Sequence, residues 1–308
     1  MSEKLPPPRI AILGARGIGR VHARIFQALG ADVCAVLGRD QASAGQAVRD
    51  LSDSFGIAAV AFSDLKTLLS QPLDGVSICT PPVHHFEQII AAFDRGVPVF
   101  CEKPLFWNDS WNDNWNEPDW ARKLASLQDH SNRRLFVNTS NAFLIAAVSD
   151  QLPPAETVTQ FAFHFHTQGL YRGRDIAVDL LPHALSMLLG CLGERPLSDV
   201  LMQVERYGCQ CRFSYGGCNV AFDLRQGPDL DRSLGFVCDD VSFQRVQEGE
   251  GMNYKVCLEN TVSGERWPSQ DPFAAYIAEF LDHCRNGGVD RFDEAALNMR
   301  LMAQCLKP

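Results

Sequence analysis

Four stretches of this chain put reactive or ligand-cradling residue types at spacings that chemistry uses. The first is Gly14-Ala15-Arg16-Gly17-Ile18-Gly19. Glycines in such a run permit a tight turn, close backbone approach to a pyrophosphate and close packing of the next helix, whose N-terminus supplies N–H donors and a positive dipole end. A plain turn is the alternative reading. Arg16 stands where a second glycine is usual, so its side chain points away from a ligand or over its phosphates. The second stretch is Gly38-Arg39-Asp40, where a ribose-binding acid is expected about 20 residues on. Gly38 in the acidic slot with Arg39 beside it attracts a 2′-phosphate, which favours NADP. Asp40, displaced by two residues, keeps NAD as the alternative.

The third comprises Thr80-Pro81-Pro82-Val83-His84-His85 and Cys101-Glu102-Lys103-Pro104-Leu105. Each follows a buried apolar run, at the strand end where ligands of open α/β sheets bind. Most lysines are simply solvated; Lys103, between an acid and a proline at such a strand end, is placed for function. The fourth runs from Asp175 to His183. Asp179 and His183 are i, i+4 and share a helix face, among Ile176, Val178, Leu180, Leu181 and Leu185. They form either a partly buried dyad that moves a proton or a structural hydrogen bond.

Alternating elements must position these residues. Arg9–Leu13, Ala31–Leu37, Val76–Thr80, Val97–Cys101 and Leu135–Thr139 read as buried strands. Helices are expected between them: one with Ile18, Val21, Ile25 and Leu29 on one face, then 48–55, 63–70, 84–95 and 120–130. That alternation predicts a doubly wound parallel α/β domain over residues 1–140. From residue 141 to 308 the pattern changes to α+β. Thr157–Thr167 ends with Phe161, Phe163 and Phe165 on one face and His164 and His166 on the other; those histidines read as sheet-surface residues rather than metal ligands. A helix over 176–192 precedes strands at 200–205, 210–215, 218–224, 234–239, 241–246 and 254–259, which predict a large open antiparallel sheet. Helices at 272–285 and 293–306 close the chain and have the option of packing back on the first domain.

The 308 residues are 46% hydrophobic and 21% charged, the composition of a globular protein that buries its own core. The net charge of −9 argues against binding nucleic acid or an anionic membrane. No apolar run reaches the ~18–20 residues of a membrane span, and no signal peptide is visible. Cys34, Cys79 and Cys101 lie in or beside buried strands, so the eleven cysteines read as small core residues of a reduced, cytoplasmic protein. No CxxC or HExxH occurs, and no metal site is expected.

These features together resemble the Gfo/Idh/MocA family, nicotinamide-dependent enzymes of the glucose-fructose oxidoreductase and inositol dehydrogenase type. The resemblance rests on GARGIGRVHA (14–23), SICTPPVHHFEQIIAAFDRGVPVFCEKPL (77–105) and DLLPHAL (179–185). It is strong over residues 9–105 and patchy beyond. It implies a Rossmann domain followed by a domain whose open sheet commonly forms the subunit contact, hence a homodimer or homotetramer. It implies a cofactor site of Gly14, Arg16, Gly17, Ile18, Gly19, Gly38, Arg39, Thr80, Pro81, His85, Glu102 and Lys103. Lys103 would touch the nicotinamide ribose and the substrate hydroxyl. His183 would be the general base or acid, with Asp179 positioning substrate or His183. The implied reaction passes a hydride between NADP (alternatively NAD) and the carbinol or carbonyl carbon of a small polyol, sugar or hydroxy/keto acid. A dinucleotide-sensing regulator without turnover and an NADPH-dependent imine or enone reductase are the competing functions.

The departures from the family pattern mark where substrate contacts differ. Leu181 replaces a usual glycine between Asp179 and His183, and the segment 137–143, with Asn141, replaces one that often carries Asn and Arg. Four of five tryptophans fall in 107–120. Trp107, Trp111 and Trp115, spaced by four, are either packed on a core or partner, or form an aromatic wall over the substrate beside Lys103. Tyr171, Arg172 and Arg174 form a second candidate substrate mouth. The two arginines either clamp a carboxylate or phosphate or pair with surface acids.

Overall fold

A computed structural model describes residues 6–112, 114–249 and 255–307, in two compact units. One unit holds residues 1–111, 116–138 and 276–296. Its elements run β1 (Arg9–Leu13), α1 (Ile18–Ala28), β2 (Asp32–Leu37), α2 (Gln41–Phe55), β3 (Val60–Phe62), α3 (Leu65–Leu69), β4 (Gly75–Ile78), α4 (His85–Asp94), β5 (Val99–Cys101), α5 (Glu117–Gln128) and β6 (Leu135–Val137). The six strands lie in the order β3-β2-β1-β4-β5-β6, all parallel. The chain winds one way from β1 and the other way from β4. A crevice opens outside the strand ends at such a reversal.

Three elements depart from the sequence pattern. Helix α2 begins at Gln41 rather than Val48, because Asp40 caps it and closes a capping box with Ser43. Strand β3 has three residues, too few to show a period. The inward face of α1 is Gly19, His22, Ala23, Ile25 and Phe26, whereas Ile18 is 42% exposed. A histidine takes the core position that periodicity assigned to an aliphatic residue, because it finds a buried partner.

The second unit holds residues 112–115, 139–275 and 297–308. It contains α6 (Phe143–Ala146), β7 (Gln160–Thr167), α7 (Arg174–Leu192), β8 (Leu197–Glu205), β9 (Gly208–Tyr215), β10 (Cys218–Gln226), β11 (Ser233–Cys238), β12 (Val241–Glu248), β13 (Lys255–Asn260) and β14 (Arg266–Ser269). The expected strand start at Tyr254 lies outside the described residues. The eight strands form an open sheet ordered β14-β13-β12-β11-β7-β10-β9-β8. It is mixed rather than wholly antiparallel: β7 and β10 run parallel, and the other neighbours are antiparallel. Phe161, Phe163 and Phe165 point to the buried face with Phe222, Leu224, Leu234, Phe236 and Phe243, and α7 packs there. His164 and His166 take the other, half-buried face. Helix α7 is long and apolar enough to cross a membrane by length and composition, but two-thirds of it is buried against the protein.

The last helices are α8 (Pro272–Asn286) and α9 (Phe292–Leu306). The part of α8 in the first unit seals an aromatic cluster. Phe280 packs on Phe26, Phe100 and Phe136 with ring centroids 6.1, 5.5 and 5.5 Å away. Burying such a ring strongly favours the folded state, and deleting it leaves a cavity. Phe280→Ala should therefore cost about 3–5 kcal/mol, read as a lower urea midpoint. An unchanged midpoint would contradict this packing.

Candidate active site

The crevice between the ends of β1 and β4 holds a cavity of about 500 Å³, lined by residues that include Gly14, Arg16, Gly38, Arg39, Ser43, Thr80 and Pro81. Helix α1 starts beside it, with Gly17 at the N-cap position. A Cβ at Gly19 would run into the carbonyl oxygen of Gly14, so the helix can pack on the turn only with glycine there. Gly17, Ile18 and Gly19 shape the turn, while Gly14, Ala15 and Arg16 face the cavity.

At the end of β2 a Cβ on Gly38 would lie 2.5 Å from the backbone nitrogen of Ala44. No acid can occupy that slot without moving α2. Asp40 is committed elsewhere: its carboxylate accepts from Ser43 N at 2.7 Å, and its own N–H donates to Ser43 Oγ at 3.1 Å. The backbone and side chain of Ser43 hold this carboxyl below its usual range. Arg39 projects into solvent, its side chain 87% exposed and its Nε 3.4 Å from Asp40 Oδ2. The corner thus holds a cation, Ser43 and a helix N-terminus, with the Asp40 carboxylate turned to the cap and to Arg39.

Behind Lys103 lies a buried ion pair. His22 is wholly buried, with Nδ1 2.8 Å from Ser77 Oγ and Nε2 2.7 Å from Glu102 Oε1. Asn138 Nδ2 donates to the same Glu102 oxygen at 2.6 Å. Burial opposes the charge on His22, but Cys79 and Glu102 outweigh it and raise its pKa to about 10. Burial likewise opposes the charge on Glu102, and the bonds and charge of His22, with Lys103 and Asn138, bring it down to about 2. This ties α1, β4 and the ends of β5 and β6 to the residue before Lys103. Glu102 is thus a buried support of the lysine. His85 also differs from its expected place on the ligand. It is wholly buried, its ring nitrogens 2.9 Å from Pro104 O and 2.8 Å from Thr80 O, and burial lowers its pKa. It clamps the two loops together, and His84 lines the cavity.

The second unit builds its own polar cluster. Asp179 accepts from Gln226 Nε2 at the end of β10. Asn141 Nδ2 lies 3.3 Å from His183 Nδ1, and Asn141 Oδ1 lies 3.5 Å from Arg245 Nη1. The Phe165 ring meets His183 edge-on at 5.4 Å, and the Arg245 guanidinium lies over Phe165 at 5.8 Å. The sequence singles out Asp179, His183 and Asn141 of this cluster as candidates, but not Gln226 and Arg245. Their signal is a polar residue breaking a period-two apolar face: Cys218, Val220, Phe222, Leu224, then Gln226; Phe243, then Arg245.

Of the two readings of the tryptophan segment, packing on the core holds for Trp107 and Trp111. Trp107 and Trp111 are each 2% exposed and pack edge-to-face at 5.4 Å, with Phe106 against Trp111. Trp107, Trp111 and Trp115 share no helix among the described residues: a 3-10 turn spans Asp109–Asn112, and α5 begins only at Glu117. Tyr171 is half exposed. Arg172 is taken up by its own loop, donating to Tyr171 O at 2.6 Å and lying over the Tyr207 ring at 4.6 Å, so the two-arginine clamp is not formed. Arg174 Nε is buried with no hydrogen-bond partner among the described residues. Among the described residues no group of three or more His, Cys, Asp or Glu could hold a metal ion. All eleven cysteines are free thiols.

Residues 8–139 match a family described as "Oxidoreductase family, NAD-binding Rossmann fold". An inositol 2-dehydrogenase from Pseudomonas syringae pv. syringae is 33% identical over 100 residues, covering 32% of this chain and 29% of that protein. The matched segment thus spans less than a third of that relative. Among solved structures, UDP-N-acetylglucosamine 3-dehydrogenase from Acidithiobacillus ferrooxidans superposes with a TM-score of 0.71 at 16% identity, covering 97% of this chain and 96% of that one. A 3-ketoreductase from Actinomadura kijaniata, in complex with TDP-benzene and NADP, gives 0.69 at 17% identity, covering 97% and 96%. At such identities the likeness is one of fold.

The buried pair makes stability depend on pH in two directions. Glu102, held below its ordinary 4.5, contributes fully above that value and loses its contribution as pH falls towards about 2. His22, raised from 6.5, contributes fully below 6.5 and loses its contribution as pH rises towards about 10. Urea unfolding across pH should show both limbs flattened in a His22→Asn, Glu102→Gln double variant. Glu102→Ala alone, which strands the imidazolium, should cost about 3–5 kcal/mol. Wild-type and double-variant profiles of the same shape would contradict the ion pair.

Proposed function

We propose that this chain, a member of the Gfo/Idh/MocA oxidoreductase family through its residues 8–139, is an NADP-dependent oxidoreductase. It passes a hydride between the cofactor and the carbinol or carbonyl carbon of a small polyol, sugar or hydroxy/keto acid. The observation that carries the reading is the cavity at the crevice of the parallel sheet, rimmed by Arg16 and Arg39. Gly38 excludes an acid from the ribose slot and Asp40 is spent on capping, which supports NADP over NAD. The inositol 2-dehydrogenase relative and the ketoreductase structure with NADP support the same class of chemistry.

The residues suit that chemistry. When bound, the nicotinamide supplies or accepts the hydride. The Gly14 turn and the N-terminus of α1 hold its pyrophosphate, with Arg16 over the phosphates. Arg39, Ser43 and the start of α2 hold the 2′-phosphate. A carbinol carbon gives up hydride only as its O–H proton is lost, so a proton carrier must reach that oxygen. His183 is that carrier. With Asn141 Nδ2 donating to Nδ1, the neutral ring carries its proton on Nε2 and offers a carbonyl oxygen a hydrogen bond only. Turned over, the amide oxygen accepts from Nδ1–H, and the ring then cycles between a neutral imidazole whose Nε2 takes the alcohol proton and an imidazolium that returns it to the alkoxide. Asp179, braced by Gln226, orients substrate hydroxyls or the ring. The Lys103 ammonium stabilises the negative charge that develops on the oxygen.

The outer face of the eight-stranded sheet, with half-exposed Ala162, Ala221 and Val237, is the proposed contact of a homodimer or homotetramer. Free cysteines suit a reduced, cytoplasmic setting. Lys103→Met tests the assignment. It should lower kcat about a hundredfold or more while the circular dichroism spectrum and urea midpoint stay those of the wild type. Full activity in that variant would sink the assignment. Arg39→Asp should shift preference from NADP towards NAD, read as the ratio of kcat/KM for the two; an unchanged ratio would contradict the 2′-phosphate site.

A further inference from the structure

The buried pair behind Lys103 has a third member that the proposed chemistry does not use. Cys79 follows β4 directly, is half-buried, and lines the cavity at the crevice. Ser77 and Cys79 lie two residues apart and project to the same face. Ser77 Oγ is 2.8 Å from His22 Nδ1 and 3.6 Å from Cys79 Sγ. The charged ring of His22 donates from both nitrogens, Nε2 to Glu102 Oε1 and Nδ1 to Ser77 Oγ. The Ser77 O–H is then left to be donated to the sulfur. Cys79 in turn helps to hold the proton on His22. The thiol thus stands between a buried cation and a cavity, and a cation beside a sulfur stabilises the thiolate through which a cysteine reacts. The other ten thiols are placed differently. Six lie in the core. Burial pushes Cys34, Cys257 and Cys284 up towards the protonated, unreactive form, and contact with Cys238 and burial do the same for Cys191. Cys79 is the cysteine that lines the crevice.

Resting on the reading of the crevice as a nucleotide site, we propose that Cys79 is a thiol modification site that gates it: an anionic low-molecular-weight disulfide reacts there, and the resulting mixed disulfide and the dinucleotide exclude one another. The Cys79 sulfur attacks one sulfur of the disulfide. A new S–S bond forms as the old one breaks, and the other half leaves as a thiolate that takes up the proton lost from Cys79. Cys79 is oxidised and the leaving sulfur is reduced, so the disulfide is itself the oxidant. Arg16 and Arg39 at the rim favour an anionic disulfide over a cationic one. The adduct occupies part of a cavity of about 500 Å³, beside the turn proposed to hold the pyrophosphate: a Cβ at Gly19 would lie 3.1 Å from Cys79 Cβ. A thiol reductant reverses the adduct and reopens the site. Cys79 takes no part in hydride or proton transfer.

The test uses the full chain, with glutathione disulfide as the anionic probe and cystamine as the cationic one. Modified cysteines are mapped by mass spectrometry of peptides, and NADPH binding is followed by fluorescence. Glutathione disulfide should place one glutathionyl group, on Cys79, and should react there faster than cystamine, each rate taken relative to that with free cysteine. The modified chain should bind NADPH at least about tenfold more weakly, and dithiothreitol should restore the affinity. NADPH at about ten times its Kd should slow the modification about tenfold, because it leaves about a tenth of the cavities open. In Cys79→Ala the affinity for NADPH should not respond to glutathione disulfide, and the melting temperature of that variant reports its folding. Modification of other cysteines in place of Cys79, faster relative reaction with cystamine, or a modified chain that binds NADPH as before would each overturn the proposal. Failure of the unmodified chain to bind NADPH would instead overturn the nucleotide reading, and the mapped position of the mixed disulfide would still decide the role of Cys79.

Discussion

The buried contact between His22 and Glu102 is the interaction on which the first unit depends. A carboxylate beneath the end of a parallel strand has no water to solvate it. Glu102 is stable there because an imidazolium from α1 and an amide from the end of β6 meet the same oxygen. The pair joins the helix that follows the glycine turn to the strand that delivers Lys103. A shift in either moves the other, so the proposed phosphate-binding turn and the proposed alkoxide-stabilising lysine share one anchor. Replacing such a pair with apolar residues often leaves a protein no less stable. What the pair supplies here is placement: it fixes α1 against the end of β5.

The second unit solves a related problem differently. Its sheet gives one face to a core of phenylalanines and aliphatic residues, and α7 covers it. Polar groups enter that face at two points: Gln226, the last residue of β10, and Arg245 within β12. They meet Asp179 directly and His183 through Asn141. Side chains projecting from strands and a well-packed helix hold geometry better than loop residues do. The loop arginines illustrate the contrast, since Arg172 is occupied by its own carbonyls and by Tyr207.

Much of this was legible in the sequence. Apolar runs bounded by glycine or proline located β1, β2, β4 and β5, a short apolar run between polar residues located β6, and alternation located the phenylalanine face of β7, because these signals are local. The glycine turn, Lys103, Asp179 and His183 stood out as candidates for the same reason, their local spacing. What escaped was decided by distant partners. His22 lies on a helix face whose apolar period pointed elsewhere, and only its bond to Glu102, eighty residues on, explains its burial. The role of His85 as a clamp depends on two carbonyls that sequence cannot place. The spacing of the tryptophans suggested a helical stripe, but the Asn and Asp between them do not sustain a helix, and Trp107 and Trp111 fold onto each other instead. Arg245 left a readable trace, a charge on an apolar face, whose meaning required knowing that Asn141 and His183 stood beside it.

The proposed chemistry requires the crevice of the parallel sheet to be a nucleotide site shaped for a 2′-phosphate. Fluorescence titration of the purified chain with NADPH and, separately, NADH measures this most directly. Saturable binding is predicted, with NADPH tighter by about tenfold or more, since a charge-assisted contact to the extra phosphate is worth roughly that factor. Equal or tighter binding of NADH would contradict a 2′-phosphate site at Gly38 and Arg39, and no binding of either would contradict a nucleotide site in the crevice.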